Sequence, residues 1–470
     1  MNNTKVVVTI GPNSSDENTL RELFCSGMDV ARINMSFCTK EECIDIINKI
    51  NKLNGEYSKK IATMIDLDGP RVRVNNIDGG EAYLEEGDKI RVYTDNVLGD
   101  KTKFSVNYTN LTKDVKVNDL IKIDDGKITL KIIDIGTNYI LCEVIIPGVI
   151  KTGKTVNVPG RKLNIPFLQA KDKETVEFAS ANGIDFLSLS FVRNSDDVLS
   201  VTDMLIELGN DHMEVLSKIE NNESYEDIDE ILKISDGAIV ARGDLGVEVP
   251  MENIPLMQKN IINKCHLFGK VVIVSTDFLS SMENDMMPTR AEVSDVANAV
   301  LDGTDAIMLS GETTVGKHPV EVLKIMEKII KATETGMPSK HIEENAGLDM
   351  QDITGSVAYS VAACASKLSA VAIVTPTISG YTAKKIGKLR SNCPVVAISP
   401  SIDTVKSLAL HYGVQPVLSD GIENFDDIIN MARDCTKAMM KVNEGDKIII
   451  TGGYPFSKVK HTNFMKIEEL

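Results

Sequence analysis

Short apolar runs alternate with amphipathic stretches along the first two thirds of the chain. Runs rich in β-branched residues and bounded by turn residues predict strands. These strands fall at residues 5–10, 29–33, 61–65, 185–189, 214–218, 237–240, 271–274 and 305–309. Apolar residues at helical spacing follow the strands, at residues 16–26, 40–53, 173–182, 196–208, 225–235, 255–268, 290–302 and 319–334. Eight strand-then-helix units predict an α/β fold, a (β/α)8 TIM barrel.

One connection breaks this rhythm, because residues 70–165 separate the third strand from the fourth. The segment contains turn signals such as Asp78-Gly79-Gly80 and Asp125-Gly126 between short alternating apolar runs. This pattern predicts a small inserted all-β lid domain on the barrel mouth. The barrel would then consist of residues 1–69 and 166–338. A lid that excludes water would strengthen charge interactions beneath it and limit hydrolysis of a phosphoryl group.

A second α/β pattern follows a polar linker at residues 339–347. Helices at 352–368, 382–389, 403–410 and 425–442 and strands at 370–374, 395–398 and 446–450 predict a doubly wound C-terminal domain, residues 348–470. The first of these strands lacks a following Gly-x-Gly-x-x-Gly, which argues against a dinucleotide site. The hydroxyl-rich residues 377–382 after it fit either a phosphate cradle or a helix cap with a turn.

Charge and cysteine content narrow the classes of function. The net charge of −17 comes without basic tracts, which argues against nucleic acid or an anionic membrane as the main partner. The eight cysteines show no Cys-x-x-Cys spacing, so we expect reduced thiols and no zinc site. The apolar run at residues 6–10 is too short for a secretory signal, and no stretch is long enough to span a membrane. A cytoplasmic protein is expected.

Polar residues stand at the ends of the predicted barrel strands, where TIM barrels place their chemistry. They are Arg32, Asn34, Ser36, Asp66, Ser188, Ser190, Lys218, Glu220, Asp244, Thr276 and Ser310. Lys218 and Glu220 lie two residues apart, so a strand delivers both to one face. An exposed ion pair is the alternative interpretation of these two residues alone. With Asp244 one βα unit later, the set predicts a metal and phosphate site.

Several motifs, in this order, resemble those of the pyruvate kinase family. They are TKVVVTIGP at 4–12, ARINMS at 31–36, DLDGP at 66–70, SKIEN at 217–221, ARGDLGVE at 241–248, PTRAE at 288–292 and SGE at 310–312. The resemblance covers essentially the whole chain, including the insert and the C-terminal domain. It implies transfer of the phosphoryl group of phosphoenolpyruvate to ADP in glycolysis, which gives pyruvate and ATP.

The resemblance also implies residue roles at the chemistry. Glu220 and Asp244 would supply oxygen ligands to Mg²⁺ or Mn²⁺, and Lys218 would neutralise the phosphoryl group in transit. Backbone N–H groups of Gly243 and Asp244 would hold the substrate carboxylate. The remaining catalytic candidates are Arg32, Thr276 and Ser310. Thr276 would belong to the water chain that protonates the enolate.

On the nucleotide side, the resemblance implies contacts from Arg32, Asn34, Arg73, Lys154 and Asn157. This chain departs from the usual motifs, with Phe37, Asp68, Arg71 and Asp277 at positions that most members fill differently. Nucleotide affinity and specificity are therefore less firmly implied than the chemistry.

Most members of the family hold K⁺ with residues matching Asn34, Ser36, Asp66 and Leu67, close to a Glu at position 71. A minority that dispenses with K⁺ carries Lys at that position, together with Leu at position 67. This chain has Leu67 and Arg71. We therefore expect that K⁺ is not required and that Arg71 replaces it, the alternative being a surface pair of Arg71 with Asp68.

For the C-terminal domain, the resemblance implies a homotetramer and a phosphorylated effector, a sugar phosphate or AMP, bound by Thr377, Ser379, Gly380 and Thr382. Two other enzymatic hypotheses stay open. An aldolase or lyase acting on a 2-oxo acid explains Glu220 and Asp244 but not Lys218, the lid or the C-terminal domain. A catalytically weakened, effector-sensing relative would explain the departures from the motifs.

Overall fold

The computed structural model describes residues 2–35, 38–337, 352–419, 425–454 and 462–470. The chain opens with the first three barrel strands and their helices: β1 (Lys5–Ile10), α1 (Glu17–Ser26), β2 (Val30–Asn34), α2 (Lys40–Glu56) and β3 (Ala62–Leu67). Local sequence fixes where the helices begin. Thr39 and Glu42 form a reciprocal capping box at α2, which satisfies N–H groups that the first helical turn leaves unpaired.

The segment between β3 and the next barrel strand is almost entirely β structure, as predicted. Its elements are β4 (Val72–Arg73), β5 (Glu81–Leu84), β6 (Lys89–Tyr93), β7 (Lys103–Ser105), α3 (Leu111–Asp114), β8 (Leu120–Ile123), β9 (Ile128–Ile135), β10 (Tyr139–Ile146), β11 (Gly148–Lys151) and β12 (Thr155–Asn157). One sheet has the order β4-β12-β8-β9-β10-β6-β7, and β5 pairs with β11. Alternating apolar side chains give the insert a hydrophobic core of its own.

The chain then returns to the barrel and completes it. The elements are α4 (Ala170–Ala181), β13 (Phe186–Leu189), α5 (Ser195–Glu207), β14 (Glu214–Ile219), α6 (Asn222–Glu226), α7 (Ile228–Ile234), β15 (Gly237–Ala241), α8 (Arg242–Glu248), α9 (Ile254–Phe268), β16 (Val271–Ser275), α10 (Arg290–Asp302), β17 (Ala306–Leu309), α11 (Gly311–Thr314) and α12 (Pro319–Gly336). Parallel strands close in the order β1-β17-β16-β15-β14-β13-β3-β2, which confirms the predicted TIM barrel.

Two details of the barrel differ from the sequence prediction. The helix predicted at residues 225–235 is two helices, α6 and α7, because the backbone at Asp227 leaves the helical region (φ −92°, ψ 12°). Helix α8 was not predicted, because Gly243 and Gly246 lower the helix propensity of this segment. Asp244 of the ARGDLG motif therefore lies in the first turn of α8.

The C-terminal part is a second α/β unit. Its elements are α13 (Ile353–Leu368), β18 (Ala372–Pro376), α14 (Tyr381–Gly387), β19 (Val395–Ser399), α15 (Ile402–Ser407), β20 (Val414–Leu418), α16 (Phe425–Met439), β21 (Lys447–Gly452) and β22 (Phe464–Glu469). The strand order is β20-β19-β18-β21-β22, and β22 runs antiparallel to β21. Apolar clusters on the two faces of the sheet contain α13 and α14 residues on one side and α16 residues on the other.

Sequence reasoning missed two of these strands. Pro416 lies in β20 and argues against a strand on propensity, while alternating charges in β22 hid its apolar positions. The predicted linker at 339–347 lies outside the described residues. No helix in the described parts of the chain is long and apolar enough to cross a bilayer.

The C-terminal domain seals the floor of the barrel, at the N-terminal ends of its strands. Ala409 and Leu410 belong to the same buried cluster as inward-facing barrel residues such as Phe186 and Ile239. Ion pairs surround this apolar plug: Lys384–Glu214 at 2.5 Å, Arg390–Asp305 at 2.5 Å and Lys406–Asp185 at 3.3 Å. The floor is therefore closed, and the opposite end of the barrel faces the inserted sheet.

Candidate active site

A cavity of about 1020 Å³ opens between the C-terminal ends of the barrel strands and the inserted sheet. Most of the candidate residues line it: Arg32, Asn34, Asp66, Leu67, Arg71, Arg73, Lys154, Lys218, Glu220, Asp244, Thr276 and Ser310. Gly243 and Asn157 are not among its lining residues, and Ser36 lies outside the described residues. Parallel strand ends thus bring together side chains that are far apart in sequence.

Asp66, at the end of β3, is the centre of the charged network in this cavity. Its carboxylate accepts hydrogen bonds from Arg32 Nε and Nη2, at 3.1 and 2.5 Å, and lies 2.8 Å from Lys218 Nζ. Burial opposes ionisation of Asp66, but the positive charges of Arg32 and Lys218 outweigh it and hold its pKa well below the usual value. Lys218 also donates a hydrogen bond to Ser190 Oγ at 3.0 Å. These contacts fix the position of the lysine ammonium.

Glu220 lies beside this network and is fully buried. Its Oε2 accepts the backbone N–H of Phe191 at 2.6 Å. Its Oε1 is 3.7 Å from Lys218 Nζ and has no hydrogen-bond partner in the described parts of the chain. Burial raises the pKa of Glu220 to about 7 against the opposing charge of Lys218, and the nearby charge of Asp244 adds to the rise. A buried carboxylate oxygen without a partner is costly unless a ligand satisfies it.

Thr276, directly after β16, is hydrogen-bonded to Gly243. The hydroxyl of Thr276 accepts the N–H of Gly243 at 2.8 Å and donates to the carbonyl of Ser275 at 2.6 Å. Thr276 has a φ of 70°, which is strained for a β-branched residue and is typical of functional sites. Arg242 donates a hydrogen bond to the Thr276 carbonyl and forms an ion pair with Asp295. Hydrogen bonds therefore fix both the hydroxyl and the carbonyl of Thr276.

The inserted sheet contributes cations from above the barrel. Lys154 Nζ lies 2.6 Å from Asp124, and Arg73 lies 3.0 Å from Asp68. Asn157 Nδ2 donates to Glu248 at 2.8 Å, which joins the insert to α8 outside the main cavity. Sequence reasoning had treated the Asp124 and Asp125 turn only as a turn, yet both residues line the cavity. The Asp125-Gly126 dipeptide was the available signal.

Comparison with known proteins identifies the family. The family model "Pyruvate kinase, barrel domain" matches residues 1–323, and "Pyruvate kinase, alpha/beta domain" matches residues 355–468. The chain belongs to the pyruvate kinase family. A protein named pyruvate kinase from Geobacillus stearothermophilus is 41% identical over 467 residues, which cover 99% of this chain and 80% of the relative. One from Clostridium perfringens is 39% identical over 476 residues, which cover 100% of both chains.

The predicted pyruvate kinase family and fold are thereby confirmed. The function and enzyme class follow with them: a phosphotransferase that moves the phosphoryl group of phosphoenolpyruvate to ADP. The described residues contain no group of three or more histidine, cysteine or acidic side chains placed to hold a metal. Glu220 and Asp244 are a pair of carboxylates, which would leave further positions of a divalent ion for water and substrate oxygens.

Arg71 is the residue expected from the sequence to replace K⁺, and it lines the cavity. Its guanidinium carbon is 4.5 Å from the centroid of the Phe191 ring, and its charge lowers the pKa of Glu220. The pair with Asp68 is long, at 3.9 Å, while Arg73 and Lys171 approach the same carboxylate to 3.0 and 3.3 Å. Arg71 is therefore directed toward the buried site more than toward a surface ion pair. Phe191 was not predicted as a site residue.

Three of the predicted effector residues, Thr377, Ser379 and Gly380, lie in the loop between β18 and α14, and the fourth, Thr382, lies in the first turn of α14. Gly380 has a φ of 75° and donates its N–H to Thr377 Oγ1 at 2.9 Å. The Thr382 hydroxyl is buried and lies 2.7 Å from that of Thr462, while Ser379 is partly exposed. The loop follows β18, which is hydrogen-bonded to β21. Between these two strands the direction in which the chain adds strands to the sheet reverses. Open α/β sheets bind ligands at such a position.

Proposed function

We propose that phosphoryl transfer in this chain depends on Lys218, held at the barrel mouth by Asp66 and Ser190. The observation that carries this proposal is the position of the ammonium, 2.8 Å from Asp66 and 3.7 Å from Glu220. A fixed cation in a closed cavity stabilises the charge that spreads over a phosphoryl group in a loose transition state. Arg32, which shares Asp66, would place its remaining N–H groups toward the phosphates of both substrates.

Glu220 and Asp244 would hold Mg²⁺ or Mn²⁺. The unpartnered Oε1 of buried Glu220 fits this role, because a carboxylate oxygen is a preferred ligand of these ions. When bound, the ion would neutralise negative charge on the substrate. The first turn of α8 would offer its backbone N–H groups, at Gly243 and Asp244, to the substrate carboxylate.

Thr276 and Ser310 would act after phosphoryl transfer, when the enolate must gain a proton. Both side chains line the cavity, and the strained backbone of Thr276 holds its hydroxyl at the mouth. Thr276 would order the water chain that delivers the proton. It would not be the proton source itself, because its hydroxyl is already engaged with Gly243 and Ser275.

ADP would bind under the inserted sheet. Arg73 and Lys154 line the cavity there and would pair with its phosphates, with Asn34 on the barrel side. Asn157 would act through the contact with Glu248, which anchors the insert to α8. We also propose that K⁺ is not required, because the guanidinium of Arg71 already places a cation beside Glu220.

The C-terminal domain would bind a phosphorylated effector, a sugar phosphate or AMP, at Thr377, Ser379, Gly380 and Thr382. The family's tetramer would transmit that signal. The net charge of −17 without basic tracts supports an enzyme without nucleic-acid or membrane partners, and the proposed cytoplasmic location rests on the expected reduced thiols. Separate apolar clusters in the barrel, in the insert and in the C-terminal domain support the proposed domain limits, 1–69, 70–165, 166–338 and 348–470.

One assay tests the catalytic proposal. Pyruvate formation from phosphoenolpyruvate should require both ADP and Mg²⁺ or Mn²⁺, and phosphoenolpyruvate turnover without ADP should be negligible. Activity far below that of the Clostridium perfringens relative, rescued only by a sugar phosphate or AMP, would favour the effector-dependent alternative. Absence of ADP-dependent turnover under all of these conditions would contradict the proposal.

A further inference from the structure

A second cavity, of about 100 Å³, lies between the barrel floor and the C-terminal domain. Four cationic side chains line it: Lys270, Lys385, Lys388 and Arg390. The carboxylate among its lining residues is Asp305, and its two oxygens are already occupied. One lies 2.5 Å from Arg390, and the other accepts the backbone N–H of Val272 at 2.9 Å. Positive charge in this cavity is therefore in excess.

Lys388 shows this excess most clearly. Its ammonium reaches across the interface to the turn after α9, where a Cβ placed on Gly269 would lie 2.3 Å from Nζ. Lys388 makes no ion pair within 4 Å in the described ranges of the chain. Burial, together with the positive charges of Lys385, Lys270 and Lys384, lowers its pKa to about 8. Packing a lysine among like charges is destabilising unless an anion joins them.

His411 adds an unused donor to the same wall. The residue directly follows the Ala409 and Leu410 plug, is largely buried and lines the cavity. Its Nε2 has no hydrogen-bond partner in the portion of the chain that the structure describes. Burial keeps the pKa of the imidazole far below its ordinary value. A neutral imidazole can still donate one N–H, and a buried ring nitrogen without a partner calls for a ligand.

We propose that this cavity binds one small tetrahedral oxyanion, with inorganic phosphate as the fitting ligand, between Lys270 of the barrel and Lys388 of the C-terminal domain. A volume of about 100 Å³ has room for several water molecules and therefore for a small oxyanion such as inorganic phosphate. The site is distinct from the effector loop, because the loop precedes α14, whereas Lys385 and Lys388 lie at and just beyond the C-terminal end of α14. A bound anion would join the two domains.

Thermal unfolding of the full chain, in phosphate and in chloride at matched ionic strength, tests this site. Phosphate should raise the melting temperature of the wild type by about 2–4 °C. Lys388→Met keeps the apolar stem of the side chain and removes its charge. This variant should melt at the same temperature as the wild type or higher in chloride, because like-charge repulsion is relieved, and it should lose most of the gain in phosphate.

Three further variants separate this cavity from other phosphate sites. Lys388→Arg should retain the gain, and so should Lys218→Met at the barrel mouth and Ser379→Asp in the effector loop. An equal gain in the wild type and Lys388→Met would overturn the proposal, as would no gain in the wild type. A lower melting temperature of Lys388→Met in chloride would also contradict it, since the lysine would then be a structural group in its own right.

Discussion

The two ends of the barrel carry similar numbers of buried charges but arrange them differently. At the floor, each of three carboxylates has its own cation from the C-terminal domain: Glu214 with Lys384, Asp305 with Arg390 and Asp185 with Lys406. At the mouth, Asp66 takes both Arg32 and Lys218, and an oxygen of Glu220 is left unpaired. Paired charges hold domains together, whereas the unequal sharing at the mouth, like the excess of positive charge around Lys388 in the small floor cavity, leaves groups available to ligands.

Apolar packing also differs between the two ends: the floor is filled, and the mouth is open. Ala409 and Leu410 close the floor within a continuous buried cluster, while the mouth opens into a cavity of about 1020 Å³ under the inserted sheet. Function at the mouth and stability at the floor is the division expected of a TIM barrel. Substitutions at the mouth should therefore lower activity, and substitutions at the floor should lower stability.

The largest effect is expected at the mouth. Lys218→Met should lower kcat by about 10³-fold or more, because it removes a fixed positive charge that acts on the transition state. The KM for phosphoenolpyruvate should change little. Lys171→Met, which removes an exposed lysine beside Asp68, is the control and should keep kcat. Near-normal turnover of a folded Lys218→Met protein would contradict the assignment, and loss of binding alone would reduce Lys218 to a docking role.

At the floor, the expected effect is on stability. Leu410→Ala should lower the free energy of unfolding by about 2–5 kcal/mol, because it leaves a cavity in the plug. Well below the melting temperature, kcat and KM should stay near those of the wild type. Leu418→Ala, at a partly exposed position of the same domain, should cost less than about 1 kcal/mol. A large kcat loss in folded Leu410→Ala would show that floor and mouth are not separable.

The same division explains how much could be predicted from the sequence. Barrel strands are apolar runs with clear turn boundaries, and β1 and α10 were predicted with the limits that the structure shows. Most of the polar strand ends line the cavity, because the fold geometry alone brings them together, but Ser188 does not. The resemblance then identified the chemistry.

Contacts between distant segments could not be predicted. Sequence gave no sign that Asp66 would pair with Lys218 as well as Arg32, that Phe191 would lie under Arg71, or that Leu410 would plug the barrel. These depend on side-chain direction and on how two domains meet. Strands β20 and β22 were missed because tertiary pairing outweighed Pro416 and alternating charges.

A smaller effect tests whether the C-terminal domain sends a signal through the floor. Ser379→Asp puts a negative charge into the effector loop and should abolish activation by a sugar phosphate or AMP, a change of about 5- to 150-fold in coupling. Basal activity should be kept. Ser366→Asp, exposed on α13, is the control and should respond as the wild type does. If no phosphometabolite alters the wild-type substrate curve, the effector proposal fails.

Substitution of Arg71 tests whether activity at the mouth requires K⁺. In tetramethylammonium buffer with Mg²⁺ and without Na⁺ or K⁺, wild-type activity should approach that in KCl. Arg71→Glu should create a K⁺ requirement of about tenfold, equivalent to ~1.4 kcal/mol of barrier. Lys171→Glu makes the same charge reversal outside the cavity and should not create it. Strong activation of the wild type by K⁺ at matched ionic strength would leave Asn34 and Asp66 as a working potassium site.

A pH dependence of stability tests the floor of the barrel. Glu327, on α12, accepts a hydrogen bond from Asn2 Nδ2 at 2.8 Å. Burial raises its pKa from 4.5 to about 8; Asp29 and Glu334 add to the rise, and Lys59 and Lys5 oppose it. The folded state therefore keeps a proton that the unfolded state has released. This stabilising contribution is complete below pH 4.5 and is lost as the pH rises through about 8.

Glu327→Gln, which imitates the protonated side chain, should remove this pH dependence. Between pH 6 and pH 8 the free energy of unfolding of the wild type should fall by about 2 kcal/mol more than that of the variant, as measured by urea denaturation at both pH values. Glu321→Gln changes an exposed glutamate of the same helix and should behave as the wild type does, because that carboxylate is ionised in both states across this range. Equal pH dependence of the wild type and Glu327→Gln would show that Glu327 is ionised in the fold. Glu327 at the floor would then be charged across this pH range, in contrast to Glu220 at the mouth, whose pKa burial raises to about 7.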